Sequence, residues 1–195
     1  SFTNLSASTF TSGTDTMTIN GLYGAETISA PTNIATSING LQGTDTLIGG
    51  NGADTFDGGS GADTMTGNNG ADIFKWISSG DTDSGLTEST ADKITDFVSG
   101  TDKLKLGLIG DGTTNSGNYV EATSAVASLS VAHAAANSAL STLNGTSSKT
   151  KLYSFQYDSS NGYLFKDDNS DGVADGMLIL QGIDHTEIAA SDIIA

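Results

Sequence analysis

Four aspartates, Asp45, Asp54, Asp63 and Asp72, follow one another at intervals of nine residues. Each has glycines just before it and an apolar residue two places after it: Leu47, Phe56, Met65 and Phe74. The fullest copies read Gly49-Gly50-Asn51-Gly52-Ala53-Asp54-Thr55-Phe56-Asp57 and Gly58-Gly59-Ser60-Gly61-Ala62-Asp63-Thr64-Met65-Thr66. The unit from Gly67 to Lys75 carries Asn68 in the second glycine place, and that from Gly40 to Ile48 carries Leu41 there. Carboxylates repeated at one phase suit a hard cation, because Ca²⁺ takes six to eight oxygens from carboxylates and backbone carbonyls alike. Glycine supplies the other half of that chemistry. It admits positive φ and lets successive carbonyls turn toward one small space. A flexible Gly/Asp linker would not keep an apolar residue in phase, so the period points to a folded β repeat.

The rest of the composition agrees with a cation partner. The chain has 195 residues, 23 acidic and 7 basic, with a formal net charge of −16, and all seven basic residues are Lys. Nucleic acid and anionic membrane surfaces are excluded as partners, since both need cationic side chains to displace counterions. Cysteine is absent, so disulfides cannot staple a thin fold, and metal is the remaining crosslink. There is no apolar run long enough to span a bilayer and no N-terminal signal peptide pattern. Ser1 lies inside patterned sequence already, which reads as a piece following an N-terminal partner.

The nonapeptide resembles the RTX repeat, G-G-x-G-x-D-x-U-x, whose copies wind into a parallel β-roll that binds Ca²⁺. The resemblance implies a mainly β chain: a roll over residues 1–85, then a small α+β cap and secretion-signal region over 86–195. It implies several Ca²⁺ ions, held at Gly43, Asp45, Gly50, Gly52, Asp54, Gly59, Gly61, Asp63, Gly70, Asp72 and Asp81. Two nonapeptides make one turn in that family, so it also implies that Asp45 stacks on Asp63, Asp54 on Asp72, and Asp63 on Asp81. Asp15 and Glu26 keep a weaker acidic-x-apolar signature, eleven residues apart.

Downstream, Ala91-Asp92-Lys93-Ile94-Thr95-Asp96-Phe97 and Gly100-Thr101-Asp102-Lys103-Leu104 resemble the region after the roll in serralysin-type proteases and other substrates of type I export. Asp92 and Asp96 read there as a cap held by turn hydrogen bonds. The Ala-rich stretch from Tyr119 to Leu143 departs from serralysins and is closer to bacterial S-layer proteins. Val126, Leu129, Ala132, Ala136, Leu140 and Leu143 stand near helical spacing in it, before a stop at Asn144-Gly145. Lys151–Tyr157, Gly162–Lys166 and Met177–Gln181 alternate like strands of a meander, with a turn at Asn161-Gly162. Asp167, Asn169 and Asp171 open like an EF-hand loop, but position twelve is Leu178 where a Glu is needed, so a plain acidic turn is the simpler expectation. The ending Asp192-Ile193-Ile194-Ala195 resembles the acidic-then-apolar close of C-terminal export signals, expected to be accessible.

No catalytic constellation is present. His133 and His185 stand far apart, and H-E-x-x-H, G-x-S-x-G and any Cys nucleophile are missing. The expectation is a non-enzymatic, secreted or cell-surface chain whose partners are calcium, the type I export machinery, and further copies of itself or a cell-surface polysaccharide. An S-layer or similar surface protein is the first reading. The alternative is the C-terminal region of a secreted metalloprotease or toxin with its catalytic domain upstream.

Overall fold

The computed structural model describes residues 15–76, 85–106, 117–145 and 152–194. Short strands recur along the first half: β1 (Thr16–Asn20), β2 (Thr27–Ser29), β3 (Ala35–Asn39), β4 (Thr46–Ile48), β5 (Thr55–Asp57), β6 (Thr64–Thr66), β7 (Ile73–Lys75), β8 (Asp92–Ile94) and β9 (Lys103–Lys105). Most hold three residues because the glycine turns leave only Thr-apolar-x before the next turn. Odd strands join one parallel sheet and even strands the other. Thr46, Leu47 and Ile48 pair with Thr64, Met65 and Thr66, while Thr55 and Phe56 pair with Ile73 and Phe74. Two nonapeptides therefore make one rung, and the chain is a parallel β-roll, mostly β with one α-helix among the described residues.

The central residue of each strand points between the sheets. Leu47, Phe56, Met65, Phe74, Ile94 and Leu104 are all buried, and the Phe56 and Phe74 rings stack at 5.0 Å. Outward positions are mostly Thr, Ser, Asn and Lys, which tolerate solvent on a pleated surface. The core is one side chain thick, so its apolar burial is small for its length.

Both sheets continue past residue 85. Met65 pairs with Ile94 and Phe74 with Leu104, so the chain makes a longer excursion before β8 and β9 resume the same stacks. The second sheet is then extended by β13 (Gly176–Gln181), which lies parallel to β8, with Leu178 opposite Asp92 and Leu180 opposite Ile94. β13 closes an antiparallel meander with β11 (Leu152–Tyr157) and β12 (Asn161–Asp167), and β10 (Tyr119–Glu121) runs parallel along β11. At the end of the first sheet, β14 (Ile193–Ile194) lies parallel to β9, with Ile193 opposite Leu104.

Helix α1 (Leu129–Asn144) covers the outer face of the meander. Its buried stripe is Ala132, Ala136, Leu140 and Leu143, set against Leu152, Tyr163, Phe165, Met177 and Ile179. The small alanines let its backbone lie close to the sheet. The helix is shorter than the Ala-rich stretch suggested, because Tyr119–Glu121 spends its backbone groups on β11 and becomes a strand. The hairpin turn also falls earlier than Asn161-Gly162. The Asp158 carboxylate accepts the N–H groups of Ser160 and Asn161 at 2.8 and 3.0 Å, and Gly162 is already paired with Tyr157. Leu140 is fully buried between helix and sheet, so Leu140→Ala is expected to destabilise the cap by about 2–5 kcal/mol in urea unfolding. A change below the error of the method would mean that the helix is only loosely docked.

Candidate metal centre

The turns of the roll place two ladders of carboxylates on its two edges. On one edge, the N–H of Glu26 donates to Asp45 Oδ1 (2.8 Å), that of Asp45 to Asp63 Oδ1 (2.7 Å), and that of Asp63 to Asp92 Oδ1 (2.9 Å). On the other, Thr36 donates to Asp54 (2.8 Å), Asp54 to Asp72 (2.8 Å) and Asp72 to Asp102 (3.0 Å). Each aspartate thus reaches back one rung and satisfies a backbone donor there. All six are almost fully buried.

The second oxygens tell a different story. Asp54 Oδ2 accepts the Gly50 N–H at 2.7 Å, and Asp102 Oδ2 the Val98 N–H at 2.9 Å. Oδ2 of Asp45, Asp63 and Asp72 is buried with no hydrogen-bond partner. A buried carboxylate oxygen left unpaired is costly unless a cation meets it. Burial raises the pKa of Asp63 to about 6 against the backbone bond it accepts, and the charges of Asp45 and Asp57 push the same way. Burial likewise takes Asp72 to about 7, with Asp102, Asp54 and Asp96 adding to the rise. Asp45, Asp54 and Asp102 are also raised, chiefly by burial.

The donors fit Ca²⁺. They are hard oxygens, and neither thiol nor imidazole stands among them, so the set favours a hard cation such as Ca²⁺ over zinc. No group of three or more His, Cys, Asp or Glu side chains converges on one point among the described residues. The roll instead spreads one carboxylate per rung, leaving turn carbonyls to complete a shell. Two glycines show how close those turns lie. Gly43 (φ 141°) and Gly61 (φ 124°) occupy left-handed backbone, and a Cβ on either would collide with a carbonyl of the preceding rung, that of Gly24 or Gly43.

Of the glycines singled out by sequence, Gly59 and Gly70 also have positive φ, whereas Gly50 and Gly52 do not and are needed for space against the carbonyls of Pro31 and Ile34. Asp81 lies outside the described residues. The rung above Asp63 is supplied by Asp92, 29 residues on, and that above Asp72 by Asp102, 30 residues on. Both carry the acidic-x-apolar signature, as Asp92-Lys93-Ile94 and Asp102-Lys103-Leu104, which is the signal that would have placed them in the ladders. Asp96 closes the last turn by accepting the N–H groups of Gly67 and Asn68 at 2.8 and 2.7 Å. Glu26 joins by its backbone, while its own Oε2 accepts the Leu22 N–H.

The acidic loop after β12 is self-contained. Asp167 accepts N–H groups from Asn169, Ser170 and Gly172, and Asp175 accepts from Asp168 N and Asn169 Nδ2. His133 stacks on Phe165 and His185 on Tyr157, in different elements.

Proton binding gives a first test. At Asp63 and Asp72 the metal-free folded chain holds protons more tightly than the unfolded chain, so its stability falls as pH rises from about 4 through about 7. In chelator, circular dichroism should show β structure gained on going from about pH 8 to about pH 5. Loss of β signal over that range would contradict the burial of these two groups.

Residues 39–74 match the family model of the RTX calcium-binding nonapeptide repeat, in four copies. No curated protein matches the chain. The structure is similar to that of the AlgE6R2 subunit of the Azotobacter vinelandii mannuronan C5-epimerase, at 23% identity over 94% of both chains with a TM-score of 0.52. The AlgE6R3 subunit of that enzyme is 19% identical, with 94% of this chain and 82% of that one covered and a TM-score of 0.40. The fold is thus the β-roll of calcium-binding repeat modules. Its cofactor is Ca²⁺, several ions to the roll, and repeats of this type are generally non-catalytic calcium-binding units.

Proposed function

We propose that the chain is the calcium-folded part of an extracellular bacterial surface protein, exported by a type I system and folded outside the cell. The observation that carries this reading is the set of three buried, unpartnered carboxylate oxygens on Asp45, Asp63 and Asp72. Those three, with Asp54, Asp92, Asp102 and the turn carbonyls beside Gly43, Gly50, Gly52, Gly59, Gly61 and Gly70, are the groups that would hold the ions. The bound metal supplies positive charge where carboxylates crowd. Where calcium is scarce, as in cytosol, that charge is missing, the thin core cannot offset chain entropy, and the chain stays thread-like. Outside, folding follows binding by mass action.

The abundance of Thr, Ser, Gly and Ala and the lack of Arg and Cys favour an S-layer-like structural role. The second reading, an accessory module of a secreted enzyme, is favoured by the likeness to a subunit of an epimerase. Fusion of the chain behind a reporter in a host with a type I exporter tests the proposal. The reporter is expected in the medium or on the cell surface, and raising cytosolic calcium is expected to trap it inside. A reporter retained at low cytosolic calcium would refute the export reading.

A further inference from the structure

On the edge that carries Glu26, Asp45 and Asp63, the turns are not equivalent. The repeat places glycine second in each turn, as at Gly59, yet Leu22 and Leu41 stand there on the two preceding rungs. Leu41 holds φ at 78°, a left-handed conformation that a bulky side chain rarely adopts. Its side chain and those of Leu22 and Tyr23 are turned to solvent, with Tyr23 80% exposed. An apolar patch kept at a backbone cost is a mark of a binding surface.

Tyr23 and Leu41 of this patch form one side of an open cleft of about 400 Å³, within the range of small-molecule sites. Beside Tyr23 and Leu41 it is lined by Asn39, Gln42, Asp57 and Ser60. The bridges from Tyr23 to Gln42 and from Gln42 to Ser60, and the pairing of Asn39 with Asp57, hold these residues in register on successive rungs. The row continues to Asn20, whose Oδ1 accepts from Asn39 Nδ2 at 2.6 Å. The cleft therefore combines a flat aromatic face with amides and a carboxylate, repeated along a line at the strand spacing of about 4.8 Å.

We infer that this cleft binds a neutral polysaccharide. A pyranose ring has an apolar C–H face that stacks on an aromatic ring and a rim of hydroxyls that amides and carboxylates bond in pairs. The open row suits a chain of sugars better than a single one. None of the lining residues is cationic, Asp57 is anionic and the whole chain carries −16, so uronate, sulfate or phosphate polymers are repelled. The inference rests on the extracellular reading above, since such polymers lie outside the cell.

The test uses the full chain in millimolar Ca²⁺, titrated calorimetrically with neutral hexaoses (cellohexaose, laminarihexaose and β-1,4-mannohexaose) and with hexamannuronate. Saturable binding of a neutral hexaose is expected, with none of hexamannuronate. Tyr23→Ala should weaken it about tenfold, Asp57→Ala should weaken it too, and Tyr23→Phe should restore it, with calcium-induced dichroism unchanged in all three. The inference is overturned if no neutral hexaose binds up to about 1 mM, if hexamannuronate binds as well as they do, or if Tyr23→Ala leaves binding intact. It is also overturned if Tyr23→Ala abolishes self-association and nothing else, which would give the patch to a second copy of the chain. Failure of the unaltered chain to fold on calcium would instead strike the reading beneath it.

Discussion

Chelation of Ca²⁺ at neutral pH is expected to unfold the roll. Hydrogen exchange across β3 to β7 should lose its protection, and far-UV dichroism should lose β signal, both returning on addition of millimolar Ca²⁺. The reason lies in Asp45, Asp63 and Asp72, each with one oxygen bonded to the previous rung and the other buried without a partner. A buried charge stripped of its partner costs about 3–5 kcal/mol. Three of them rival the whole stability of a domain, about 5–15 kcal/mol. The core offers little in return, because each rung buries only two strand residues between the sheets. Protection that persists after metal analysis shows the protein free of calcium would overturn this account.

The second large effect is expected from removing residues 183–195. In sequence this tail resembles an accessible export signal; in the structure it is folded into the roll. Ile183, Ile188 and Ile193 belong to the same buried cluster as Phe74, Phe97 and Leu104, and the Leu106 N–H donates to Ile194 O at 3.0 Å. Asp192 fastens the segment. Its buried carboxylate accepts from Lys103 Nζ (2.8 Å), Ser99 Oγ (2.6 Å) and the N–H groups of Gly100 and Ala189 (3.0 Å each). These bonds outweigh its burial and hold its pKa below the usual carboxylate range. Losing three buried isoleucines alone forfeits about 4–9 kcal/mol. The truncated chain should therefore need more than about tenfold more calcium to reach half folding, or fail to fold. An unchanged calcium midpoint would show that the tail is not a structural cap. Asp192→Asn, which removes the charge and keeps the shape, should give a smaller shift in the same direction.

The repeat from Gly40 to Lys75 was legible because its period is imposed by geometry. A rung of two nonapeptides must return the chain to the same place, so Asp and the inward apolar residue recur in phase. That regularity stops where the chain departs between β7 and β8. Sequence distance then no longer reports the rung, so Asp92 reads as a cap residue and only the acidic-x-apolar signature links it and Asp102 to the ladders, where hydrogen bonding puts them directly above Asp63 and Asp72. The meander showed itself by alternation, but the Asn161-Gly162 signal misled. Gly162 is glycine because the Phe155 ring lies where its side chain would be, and Asp158 makes the turn. The two-residue β14 was hidden for another reason. So short a strand has no pattern of its own, and only the edge of β9 defines it.

The carboxylate ladders have a sense of direction. Every aspartate gives its Oδ1 to a backbone donor one rung nearer the N-terminus, never the reverse. A rung is therefore finished by its successor, and the two ends of the stack are chemically unlike. On one edge the series halts where the Asp102 N–H turns back to Val98 O at 2.8 Å. Such a stack can be lengthened or shortened only by whole rungs. Duplicating a two-nonapeptide block inside Gly40–Lys75 leaves every donor met and both edges in phase. Adding a single nonapeptide sends each later strand to the opposite sheet and presents β8 and β13 with the wrong neighbour.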